Sequence, residues 1–194
     1  MQPTSTAGKP FLFDLIVAMG PNGEIGRGYG LPWPRESGDL KHFRGITTKI
    51  TNADIIVGKK TASTLPVSGL PGRRIVAVSS TRGRGQRLWG LQVRSLFDAL
   101  TLQAPARFVA GGAVMYRRAI EEYGKHLQKA FVTMVLGRHM DCLSGEIVSL
   151  DPQTRDLLMG GPRSNVIKHP NGCVSFVVEF KTELRGGPPL GPTV

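Results

Sequence analysis

Cysteine is scarce in this chain: of its 194 residues only Cys142 and Cys173 carry a thiol. Neither belongs to a Cys-x-x-Cys pair, so a disulfide scaffold is excluded and a reducing interior, the cytoplasm, is the expected home. The histidines at 42, 126, 139 and 169 show no ligand spacing, and no metal is expected. Long apolar runs are missing too. None approaches the roughly 20 residues a membrane-spanning helix needs, and residues 1–10 are polar, without the apolar core of a signal peptide. Acids vanish over one stretch: none lies between Asp54 and Asp98.

That same stretch holds Lys59, Lys60, Arg73, Arg74, Arg82, Arg84, Arg87 and Arg94, within a total of 25 Lys+Arg against 14 Asp+Glu and a net charge of +11. Such a stripe draws anions, whether a phosphorylated cofactor, an acidic substrate or nucleic acid; a merely solvated face is the plainer alternative. A hydrophobic content of 40% with 20% charged residues is that of a globular chain with a real core. One domain is expected over residues 11–185, with a leader at 1–10 and a Gly/Pro-rich tail at 186–194.

Residues 11–19 (FLFDLIVAM), 53–58 (ADIIVG), 74–79 (RIVAVS), 107–110 (RFVA) and 128–136 (QKAFVTMVL) are apolar runs that suit buried strands. Gln92-Val93 reads as a short strand, Ser95 as the cap of a helix carrying Leu96, Phe97, Ala99 and Leu100, and residues 113–122 as a further helix. Residues 137–172 show no clear period, and 173–181 alternate like a strand with one wet face. Apolar strands separated by helices predict an α/β fold of three layers: a central, mostly parallel sheet, an antiparallel C-terminal edge strand, and helices on both faces.

The most informative stretch is residues 23–43. Glycines at 23, 26, 28 and 30 permit close approach of backbone to a ligand. Pro32 and Pro34 stiffen both sides of Trp33. A helix capped by Ser37 then carries Asp39 and Phe43 at i and i+4, on one face. An acid beside an aromatic there either complements the helix dipole or faces a ligand. Further along, Gly111-Gly112 between a strand and a helix is either an ordinary tight turn or a place where a helix N-terminus meets a pyrophosphate. Lys59-Lys60-Thr61 and Ser79-Ser80 follow candidate parallel strands, where α/β sheets bind ligands. Cations and hydroxyls there suit a phosphomonoester, and Arg73 suits a carboxylate.

In order, Ile16-Val17-Ala18, the glycine loop, Leu31-Pro32-Trp33, Asp39 with Phe43, Gly58-Lys59-Lys60-Thr61, Leu70-Pro71-Gly72-Arg73, Ser79-Ser80, Ala110-Gly111-Gly112 with Tyr116, and Phe131-Val132-Thr133 resemble the dihydrofolate reductase family. The resemblance spans about residues 13–136. It implies reduction of 7,8-dihydrofolate with NADPH, dihydrofolate and antifolates as ligands, and a monomer. It also implies roles. Asp39 resembles the acid that binds the pterin and assists its protonation, supported by Thr133, with Leu31 and Trp33 completing the reacting centre. Ile16, Val17, Phe43 and Leu65 would line the substrate pocket, and Arg73 would hold the substrate's carboxylate. Lys59, Lys60, Thr61, Ser79, Ser80 and Arg82 would take the adenosine side of NADPH. Ala18, Ile25, Gly26, Ala110, Gly111, Gly112, Ala113, Val114 and Tyr116 would surround its nicotinamide and pyrophosphate, and residues 20–32 would form a lid.

Two features depart from the family's usual pattern. Ala62 stands where a tryptophan usually follows Gly-Lys-Lys-Thr, and Asp141-Cys142-Leu143-Ser144-Gly145 is all that remains of a late Asp-Thr-x-Phe-Pro segment, leaving support of the lid from that side open. The rival reading is a binding module whose basic stripe meets nucleic acid; it rests on charge alone, without aromatics interleaved for base stacking.

Overall fold

The computed structural model describes residues 11–34, 38–81, 90–136, 145–170 and 172–180. Ser37, Arg82, residues 141–144 and the expected leader and tail lie outside them.

β1 (Phe13–Met19), β3 (Ala53–Gly58), β4 (Arg73–Val78), β6 (Arg107–Val109) and β7 (Leu127–Val135) are buried over most of their length, as strands covered on both faces must be. With β5 (Leu91–Val93) they run parallel in the order β5-β4-β3-β6-β1-β7. The sheet then closes with β10 (Cys173–Glu179), antiparallel to both neighbours, and β9 (Arg163–Lys168) outermost. The expected antiparallel C-terminal strand is therefore second from the edge. Ser175, Phe176, Val177 and Val178 are all buried, Phe176 and Val178 in the core layer and Ser175 against His169, so the wet face read from its alternation is absent.

Strand alternation divides the core into two layers. Phe13, Leu15, Val17 and Met19 pack with Leu96 and Leu100 of α3 (Leu96–Thr101), Met115 and Ala119 of α4 (Ala113–Tyr123), and Leu158 of α5 (Pro152–Gly160). Ile16 joins Ile55, Val57 and Phe108 on the opposite face, where Phe43 of α1 (Asp39–Thr47) and Ala62 of α2 (Lys59–Ala62) cover them. The Ser95 cap forms as expected: its hydroxyl accepts from the Asp98 N–H and its own N–H donates to the Asp98 carboxylate, both at 3.0 Å. The α1 cap differs. Gly38, at φ 87°, precedes Asp39 and offers no side chain, so the helix starts directly at the acid.

Residues 145–170 of the segment without sequence period form regular elements. They contain β8 (Ile147–Ser149), α5 and β9. Asp151 caps α5 by accepting from the Thr154 N–H at 2.9 Å, with Pro152 beginning the helix.

β1 pairs with β6 only through Asp14 and Leu15. Beyond them β1 runs on beside β7 to Met19, while the chain leaves β6 at Val109. The connection from β1 goes towards β3, and that from β6 goes across to β7. Neighbouring strands whose connections lie on opposite faces of the sheet, α1 on one and α4 on the other, leave a crevice at their carboxyl ends, the usual ligand site of an α/β sheet.

Candidate active site

One wall of the crevice is the turn from β6 into α4. Gly111 adopts φ 131°, in the region that favours glycine. A Cβ on Gly111 would lie 3.5 Å from Thr61 Cγ2 and 3.6 Å from the Tyr116 hydroxyl, and one on Gly112 3.3 Å from Thr61 Oγ1. The turn is thus a cradle that side chains would fill. Backbone bonds from Ala110 N–H to the Ile56 carbonyl and from Gly58 N–H to the Gly111 carbonyl fasten it to β3. Gly112 caps the 11-residue α4 with no side-chain acceptor, leaving the first N–H groups and the helix dipole for an anion.

Tyr116 sits behind this turn, 4% exposed, and its hydroxyl donates to the Ile16 carbonyl at 2.8 Å. Burial raises its pKa far above the usual phenol range, so it serves as a fixed donor. It braces the turn from below. Ala110 and Ala113 are half-buried beside the turn, and Val114 is exposed. Lys59, Lys60 and Thr61 open α2 directly at the carboxyl end of β3. After β4, the Ser79 hydroxyl donates to the Thr81 carbonyl at 2.8 Å and Ser80 is exposed.

The other wall comes from α1 and β7. Asp39, at the start of α1, is only 4% exposed. Its charge is felt at Cys173, whose thiol pKa is raised first by burial and then by Asp39. Cys173 is the register partner of Val135, which puts the acid near the carboxyl end of β7. Trp33 packs on the same two residues, with Ala18 and Leu31 against them, and its indole N–H finds no partner among the described residues. Phe43 and Leu65 pack with Ile16. Arg73 lies over the Phe43 ring, 5.8 Å from guanidinium carbon to centroid, and donates to the Thr47 hydroxyl at 2.8 Å. Burial, then Arg44, lowers its pKa.

Val17 needs correction. Its side chain enters the core layer of α3, α4 and α5, because it alternates with Ile16 and Ala18; only its backbone is left to border the crevice. Thr133 is buried at the carboxyl end of β7, and its hydroxyl lies 2.8 Å from His42 Nδ1. The sequence reading does not single out His42. Its signal is the i+3 spacing from Asp39, which puts it on nearly the same helix face.

The glycine-rich stretch after β1 carries β2 (Glu24–Arg27), including Ile25 and Gly26, and pairs antiparallel with β8. Leu150 N–H donates to the Gly23 carbonyl at 2.9 Å, and Gly28 N–H to the Glu146 carbonyl at 3.0 Å. A Cβ on Gly145, at φ 116°, would come within 3.3 Å of the Gly28 backbone. Gly145 and the residues after it thus hold the glycine-rich stretch from that side, while residues 141–144 lie outside the described residues. At the tip, the Lys60 ammonium lies 5.6 Å from the Tyr29 ring centroid, a cation–π contact joining this stretch to α2.

Fold and crevice together define an α/β domain with a switch-point crevice between a glycine-cradled helix terminus and a buried carboxylate. Residues 12–140 match the dihydrofolate reductase family, and the chain belongs to that family. It is 41% identical over 109 residues to the dihydrofolate reductase of Mycobacterium tuberculosis H37Rv, covering 55% of this chain and 63% of that protein. It is 30% identical over 138 residues to the viral dihydrofolate reductase of Saimiriine herpesvirus 2, covering 64% of each. To the Rattus norvegicus dihydrofolate reductase it is 29% identical over 135 residues, 62% of this chain and 71% of that protein. The chain spans less than two thirds of the length of the mycobacterial relative.

Proposed function

We propose that this chain reduces 7,8-dihydrofolate to 5,6,7,8-tetrahydrofolate with NADPH, a reaction of one-carbon metabolism that antifolates block. The observation that carries this reading is Asp39, a carboxylate at 4% exposure on the crevice wall. A carboxylate there accepts hydrogen bonds, and a pterin presents its ring N3–H and its 2-amino group side by side as donors. A carboxylate held there favours the protonated, more electrophilic pterin. Proton delivery at a positioned group is typically worth ~10²–10⁴ in rate.

Ile16, Leu31, Phe43 and Leu65 would line the pterin and aminobenzoyl pocket, with Trp33 closing its end and Thr133 supporting Asp39. Arg73, already oriented by Thr47 and Phe43, would clamp the glutamate carboxylate. The residues present fit the cofactor: the Gly111-Gly112 cradle and the free α4 terminus suit a pyrophosphate, and Lys59, Lys60, Thr61, Ser79 and Ser80 suit a 2′-phosphate. Ala18, Ile25 and Gly26 would border the nicotinamide. NADPH, when bound, supplies the hydride. The protein aligns two flat rings and excludes water with its lid.

The test is loss of NADPH absorbance when purified protein meets dihydrofolate. Oxidation is expected only with dihydrofolate present, and is expected to stop on addition of an antifolate. Salt-dependent polynucleotide binding without NADPH oxidation would replace this reading by the binding-module one.

A further inference from the structure

A line of polar side chains leads away from the crevice on the α1 face of the sheet. The Thr133 hydroxyl meets His42 Nδ1 at 2.8 Å. The His42 ring lies 5.7 Å, centroid to centroid, from His169. His169 Nε2 meets the Ser175 hydroxyl at 2.8 Å. Thr133 and Ser175 are register partners on β7 and β10, so both hydroxyls rise from one face. Both are buried, while the two imidazoles are half-buried.

A threonine hydroxyl has one proton to give, and His42 decides where it goes. If Nδ1 is bare, it accepts the Thr133 proton, and Thr133 turns only a lone pair to its other neighbours. If Nδ1 carries hydrogen, Thr133 accepts from it and its own proton is free to face the crevice. We propose that His42 is a positioning residue of the substrate pocket, which through Thr133 sets whether a proton or a lone pair faces the pterin side, and which with His169 makes that setting depend on pH. The inference rests on the reading above, with Thr133 in the substrate pocket.

The charges around His42 fix the sign. His169, from the β9–β10 connection, and Lys49, just past α1, both oppose an imidazolium, as burial does first of all, and its pKa falls below 6.5. Asp39 stands one turn back on α1, with Cys173 of β10 beside it. At neutral pH His42 is therefore uncharged and its tautomer governs Thr133. Acid makes Nδ1–H obligatory and turns the Thr133 proton towards the crevice.

The experiment measures kcat and KM for dihydrofolate and for NADPH from pH 5 to 9 in wild type, His42→Phe and His42→Asn. His42→Phe is expected to lower kcat/KM for dihydrofolate about tenfold, mostly in KM, with KM for NADPH unmoved. His42→Asn, whose amide reaches Thr133 without titrating, is expected to recover most of that loss but to lack one inflection on the acid limb. Superimposable pH profiles for all three proteins would overturn the proposal. In parallel, the ring nitrogens of ¹⁵N-labelled histidine are followed by NMR in wild type and Thr133→Val, with His42→Phe giving the assignment. A changed His42 tautomer balance is expected in Thr133→Val, and unchanged signals overturn the proposal even in an active enzyme. A wild type that does not oxidise NADPH with dihydrofolate overturns the functional reading and, with it, the pocket role of Thr133. The NMR arm tells that failure from loss of the contact itself.

Discussion

Arg73 is held by two residues of the helix that carries Asp39: its guanidinium stacks over Phe43 and donates to the Thr47 hydroxyl. A planar fork oriented before the ligand arrives loses less entropy on clamping a carboxylate. Arg73→Ala is expected to raise KM for dihydrofolate at least tenfold, about 1.4 kcal/mol, with KM for NADPH unchanged. Steady-state kinetics in both substrates decides this. Equal rises in the two constants would move Arg73 out of the substrate site.

The next residue along has a different task. Arg74 makes a two-point ion pair with Asp54, Nε to Oδ1 at 2.7 Å and Nη2 to Oδ2 at 2.8 Å, with the Asp54 side chain fully buried and Arg74 42% exposed. Removing one partner of a buried pair strands a charge, at a cost of roughly 3–5 kcal/mol. Arg107 also faces the Asp54 charge, and Arg74 is partly solvated, so Arg74→Ala is expected to cost about 2–3 kcal/mol. In a chain of this size that lowers Tm by about 4–12 °C. A calorimetric shift under about 1 °C would show that Asp54 finds other partners.

Both arginines sit in the acid-free stripe, yet only the fold separates their roles. The strands themselves were legible, because parallel strands buried on both faces must be continuously apolar. That continuity hides sidedness. Nothing in the run from Leu15 to Met19 distinguishes Ile16 from Val17, although one faces α1 and the other α4. β9 exposes most of its residues and so carries no apolar run. The Asp151-Pro152 cap and the Asn171-Gly172 turn signal were readable cues beside it. The contacts of Thr133 with His42 and of Ser175 with His169 arise only from sheet register, and no local pattern announces them.

Asp14 is a half-buried acid on β1, beside Phe108 and Lys129. Burial raises its pKa to about 6; the backbone N–H and the charge of Lys129 pull the other way without offsetting it. One carboxylate oxygen has no partner among the described residues. With the folded value above the unfolded one, near 3.9, the folded state binds the proton more tightly between about pH 4 and 6. Stability therefore falls as pH rises through that window, and the penalty is complete above it. Asp14→Asn is expected to match wild type at pH 3.5 and to exceed it at pH 7 by up to about 3 kcal/mol. Urea melts at pH 4, 5, 6 and 7 test this. A difference that does not grow with pH would clear Asp14 as its source.

Asp39 is the more consequential acid, and its substitution separates binding from chemistry. The proposed cofactor features stand on the other wall, where Ala110 and Gly111 are fastened to β3 by backbone bonds that do not involve α1. Asp39→Asn keeps the shape of the side chain while removing the charge that, in the proposed reaction, would favour a protonated pterin. NADPH affinity, read by fluorescence titration, is therefore expected to stay within about twofold, and kcat to fall by ~10² or more. Loss of both together would mean that residue 39 props the crevice open, and wild-type turnover would mean that the proton reaches the pterin by a route without this carboxylate.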